Sequence, residues 1–87
     1  MTPVGFKVVR ARLSLRETQK EFSSRFMISK ETISRWELGK IENMGKMNEA
    51  ILDNLIRKLE NEGRLIPPEV VNVVFREVME SRGDATR

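Results

Sequence analysis

The chain has 87 residues, enough for one small domain that buries about 60–65% of its unfolded surface. It contains neither cysteine nor histidine, which excludes disulfides and thiolate metal sites and removes the commonest general base. The formal charge of +3 is uneven: residues 1–47 hold ten Lys/Arg against five Glu, and residues 48–87 hold six basic against eight acidic groups.

In chain order, Thr2 and Pro3 suit a helix start. Phe6, Val9 and Leu13 recur at helical spacing, which predicts a first helix from about Val4 to Leu13. Thr18 followed by Glu21 is a capping-box pattern, opening a second helix from about Gln19 to Phe26 with Phe22 and Phe26 turned inward. Ser29 caps a third helix, in which Ile33 and Trp36 are the apolar positions, and Gly39 is its C′ residue. Trp36 reads as core rather than as a base-stacking ring. Residues 40–45 read as a loop. Met44, Met47, Ile51, Leu55 and Leu59 then predict a long fourth helix ending near Gly63, with Met44 and Met47 filling gaps in the core.

Pro67, Pro68 and Glu69 mark another helix start, and a valine-rich run to Met79 follows. Helix is preferred there, although VVNVVF also has strand propensity; a strand would pair with its copy in a second subunit. No apolar run approaches the roughly 20 residues of a membrane helix and the first residues lack a signal-peptide core, so a cytoplasmic protein without membrane contact is expected.

The stretch from Gln19 to Gly39 resembles the helix-turn-helix of the Xre/Cro/CI family of phage and bacterial regulators. Gln19 opens helix two, Phe22 and Ser23 take the large and small positions, and Ile28 precedes the capping Ser29. Thr32-Ile33-Ser34-Arg35-Trp36-Glu37-x-Gly39 is similar to the family's closing signature, and the likeness extends over about residues 4–60. It implies an all-α, five-helix, lambda-repressor-like DNA-binding domain in residues 1–62. Residues 63–87 would then be a dimerisation or partner-binding extension of the same domain. It also implies that Arg12 pairs with Glu37, tying helix one to helix three. Three positions depart from the family's pattern. Met27 stands where a glycine is common, Arg16-Glu17 stand for Gly-Leu, with Leu15 the candidate for the missing apolar contact, and Leu38 replaces a polar residue near the phosphates.

Lys30, Glu31, Ser34 and Arg35 fall on or near the side of helix three opposite Ile33 and Trp36. Arg35 can bind guanine bidentately, Lys30 can donate to guanine or phosphate, and Glu31 can accept from cytosine N4. These four are the expected base-reading residues; the competing reading is a solvated face that touches nothing. Thr18, Gln19, Thr32, Lys40 and Lys46 are the expected phosphate contacts, with Gln19 a clamp at the start of helix two.

One such module buries only about 600–1,000 Å² on DNA, so a homodimer reading a palindromic operator is expected. Val70, Val71, Val74, Phe75 and Val78 are its interface candidates. The competing reading folds this segment back onto helix four as monomer core. The expected function is transcriptional repression. A second reading is an antitoxin that grips a small toxin protein through the C-terminal helix and represses its own operon; the stretch FSSRF…WELGKIENMG also resembles antitoxin-like members. A third is an adaptor that has lost DNA binding. No Gly-rich phosphate loop accompanies the carboxylates and serines, so neither enzymatic activity nor a cofactor or metal is expected.

Overall fold

The computed structural model describes residues 2–74 and residue 76. Four helices follow one another: α1 (Pro3–Leu15), α2 (Gln19–Ser23), α3 (Lys30–Glu37) and α4 (Lys46–Asn61). The described part of a fifth, α5, spans 68–74. The fold is all-helical, and the valine-rich run is helix rather than strand as far as it is described. Phe75 and Val78, two of the expected interface residues, lie outside the described residues.

The helix ends follow from local chemistry. Thr2 caps α1, its hydroxyl accepting the Gly5 N–H at 3.1 Å, and Pro3 occupies the first turn, where its missing N–H costs nothing. Thr18 and Glu21 form the reciprocal capping box on α2, and the Ser29 hydroxyl accepts from the Thr32 N–H at the start of α3. Four helical segments close in the same way, on a left-handed residue: Arg16 (φ 57°), Met27 (φ 56°), Gly39 (φ 78°) and Gly63 (φ 69°). At each, that residue's N–H returns to the carbonyl three positions back, and the next N–H to the carbonyl five positions back. These are Schellman closures. At Arg16 and Met27 a side chain occupies a conformation that costs an L-residue roughly 1–2 kcal/mol.

Helix α2 is shorter than expected. Past Ser23 the chain tightens: the N–H groups of Ser24, Arg25, Phe26 and Met27 each reach back three residues rather than four. The Ser23 hydroxyl also bonds the Lys20 carbonyl at 2.6 Å, competing for a helical acceptor. Phe26 is buried all the same, its ring 5.2 Å from Phe22 and 5.6 Å, edge on, from Trp36. Around these rings lie Val8, Ala11, Ile33, Met44, Leu52 and Leu59.

Two expected faces are rotated. The inward side of α1 is Gly5, Val8 and Val9, with Ala11 beside them, while Phe6 and Leu13 are half-buried. Gly5 is the reason. A Cβ there would stand 2.8 Å from the Trp36 carbonyl oxygen and 3.0 Å from that of Glu37, so its absence brings α1 directly onto the end of α3. In α4, Leu52 and Leu59 are the buried pair and Met44 is buried from the loop, but Met47 is 79% exposed and fills no core gap. A strict four-residue repeat drifts by about 40° per step on a helix of 3.6 residues per turn. By Met47 it has turned about 120° away from Leu59.

The connection to α5 is held against α1. Arg10 Nε donates to the Ile66 carbonyl at 2.8 Å, and the Ile66 N–H donates to the Ser14 hydroxyl at 3.0 Å. Leu65 packs on the core from the same connection. Val71, expected at an interface between chains, is completely buried within this one. A helix anchored at Ile66 turns one side inward, so Val71 is shielded by its own chain and is not open to a second copy. Val70 and Val73 are exposed and Val74 is half-buried.

Candidate nucleic-acid interface

Helix α3 is anchored on one side and open on the other. Ile33, Trp36 and Glu37 are buried. Lys30, Glu31 and Arg35 are exposed, and Ser34 and Thr32 are half-buried. At about 100° per residue, Glu31, Ser34, Arg35 and Leu38 fall within one arc of roughly 100°, opposite the midpoint of Ile33 and Trp36, with Lys30 about 40° beyond its Ser34 end. The four expected reading residues therefore share one side of the helix. Leu38 joins them at 47% exposed. Counting i, i+4, i+7 from Glu31 was the available signal for it.

The orientation of α3 is set by a polar cluster at its C-terminal end. Arg12 grips the Glu37 carboxylate with two bonds, Nε to Oε2 at 2.6 Å and Nη2 to Oε1 at 3.0 Å. Its remaining Nη1 donates to the Glu17 carbonyl at 3.1 Å. Gln19 Nε2 adds a third bond to Glu37, 3.0 Å from Oε1. The cluster joins the end of α1, the start of α2 and the end of α3, so that α2 and α3 are oriented by one carboxylate. The Gln19 side chain is thus tied inward to Glu37, which the phosphate-clamp expectation did not foresee: a buried carboxylate one helix away is a strong acceptor for an amide.

The other expected phosphate contacts are arranged around α3. Lys40 follows its C-terminus and Lys46 opens α4, both exposed. Among the described residues, Lys30, Arg35, Lys40 and Lys46 form no ion pair, whereas Lys7, Arg12, Arg25 and Arg64 do. Glu31 and Arg35, one turn apart, stay unpaired with each other. The hydroxyls of Thr18 and Thr32 are engaged in capping: Thr18 accepts from the Glu21 N–H, and Thr32 shares a hydrogen bond with Ser29 at 3.1 Å.

An ion pair bridges the stretch between α1 and α3. Glu17 takes both bonds of the Arg25 guanidinium, at 2.9 and 2.6 Å. This fastens the α1–α2 connection to the turn before α3 and pushes the Arg25 pKa up, chiefly through the hydrogen bond to Glu17. Leu15 packs partly buried against the core, supplying the apolar contact that Glu17 cannot. Met27 stands 93% exposed at the apex of the turn.

Among the described residues no helix is long and apolar enough to cross a membrane. No protein-family model, curated protein or solved structure matches the chain.

Proposed function

We propose that the chain is a sequence-specific double-stranded-DNA-binding regulator of the Xre/Cro/CI type, acting as a homodimeric repressor. The observation that carries this reading is the two-sidedness of α3. Its apolar side is locked by Ile33 and Trp36, and its polar side holds Lys30, Glu31 and Arg35 exposed, with Ser34 half-buried among them. A helix of this kind fits the major groove, where Arg35 would take guanine O6 and N7 and Glu31 would accept from cytosine N4. Lys40 and Lys46 would hold phosphates beside it. Gln19 and Arg12, through Glu37, would keep α2 and α3 at a fixed angle.

Two copies related by a two-fold axis would place their reading helices about 34 Å apart, one turn of DNA. With Val71 turned inward, the surface available for pairing on α5 is narrower than the valine run suggests. Among the described residues it comprises Val70 and Val73, with Val74 at the edge. Occupation of a promoter by such a dimer would block access to it.

The reading is tested by competition gel shift. Arg35→Ala should cost about 1–3 kcal/mol at the preferred site and relax discrimination there. Lys40→Ala should weaken binding to all duplexes evenly and lower the salt dependence. An Arg35→Ala protein that discriminates as the unaltered chain does would overturn the reading role.

A further inference from the structure

Leu38 is the one large apolar residue on the reading side of α3. It lies in helical register: its N–H bonds the Ser34 carbonyl at 2.9 Å, and its φ of −84° is right-handed. A helical side chain covers surface over the turn N-terminal to its own Cα, which here is the turn of Ser34 and Arg35. Its neighbours on this side supply donors for guanine and an acceptor for cytosine, and none of them recognises the one apolar marker in the major groove, the C5-methyl of thymine. A half-exposed leucine gains by losing water against such a methyl and gains nothing against a phosphate.

Resting on the DNA-binding reading above, we propose that Leu38 is a specificity-determining residue that contacts a thymine methyl. Leu38 is three residues from Arg35, about 4.5 Å along the helix axis. Base pairs rise about 3.4 Å each. The thymine is therefore about one or two base pairs from the guanine held by Arg35.

The test uses the duplex enriched from a random pool by the full chain. Each thymine of a half-site is replaced singly by deoxyuridine, which removes only the methyl, and binding is titrated by fluorescence anisotropy. The expected result is one position, within about two base pairs of the guanine whose contact Arg35→Ala abolishes, at which affinity falls about three- to fivefold. That is the size of one lost methyl burial. In Leu38→Ala the same replacement should cost less than about 1.5-fold, because its partner is gone. A scan of the unaltered chain with no sensitive thymine at that distance overturns the proposal without involving any variant. So does a penalty that persists in Leu38→Ala. In both cases the enriched duplex still binds and the DNA-binding reading stands. Failure to enrich or bind any duplex overturns both together.

Discussion

The motif from Thr18 to Gly39 and the segment from Gly63 to residue 74 are each tied to α1, but by different means. The motif is fixed by directional bonds: the Thr18–Glu21 box, the Ser29 cap, the Schellman closures at Met27 and Gly39, and the Arg12–Glu37–Gln19 cluster. The later segment is fixed by the burial of Val71, the packing of Leu65 on the core and the bonds to the Ile66 backbone. Hydrogen bonds to a buried carboxylate set an angle, whereas apolar burial sets a position and tolerates small rotations. A helix that must meet base edges needs the first kind of control. A segment that offers an apolar side to another surface can use the second.

If this contrast is real, the two regions should break differently. Glu37→Ala leaves the Arg12 guanidinium without its partner in a poorly hydrated place. It should lower stability by about 3–5 kcal/mol in urea unfolding. Arg12→Met with Glu37→Leu should recover most of that loss while reorienting α2 and α3, and so restore folding without DNA affinity. A loss below 1 kcal/mol would show that the cluster is ornamental. In the later segment, Val71→Ala should cost about 1–3 kcal/mol, and Val73→Ala, at 57% exposed, less than about 0.5 kcal/mol. Equal effects would mean that α5 is not seated on its Val71 side.

Two smaller effects sharpen the account of the motif. Met27→Gly relieves a left-handed methionine that has little packing to lose, and should raise stability by up to about 1 kcal/mol; a lower melting temperature would show that the turn depends on the methionine side chain. The Glu21 carboxyl is held below its usual value, first by the Thr18 N–H and then by the Thr18 hydroxyl. Its folded pKa is depressed, so the stabilisation is full above the ordinary glutamate pKa and is lost as pH falls through the lowered one. The difference in melting temperature between the unaltered chain and Glu21→Ala should therefore be present near neutrality and fade in acid, as pH falls through the lowered pKa. A difference independent of pH would remove the carboxylate from the capping role.

The same contrast governs what could be read from residues alone. Thr18 with Glu21, Ser29 and Gly39 announce helix ends through chemistry contained in a few neighbouring residues, and the structure has those ends. The Arg12–Glu37 pair was legible through the family resemblance, and the structure has it as a two-bond contact. What the residues alone did not reveal depends on distant surfaces. The rotation of α1 follows from Gly5 meeting the carbonyls of Trp36 and Glu37, which no periodicity encodes. The inward turn of Gln19 requires a carboxylate 18 residues away. A run of valines carries no polarity contrast, so it could not show that Val71 faces in while Val70 and Val73 face out. Met47 was misplaced because a four-residue repeat was extended beyond the arc that a helix keeps on one side.

The central claim, that the outward side of α3 enters the major groove, is tested most directly by dimethyl sulfate footprinting on the enriched duplex. This reagent methylates guanine N7 in the major groove and adenine N3 in the minor groove. The account predicts protection of a guanine N7 in each half-site, lost selectively in Arg35→Ala, with adenine N3 unchanged. Guanines that stay fully reactive under saturating protein, or protection confined to adenine N3, would contradict it.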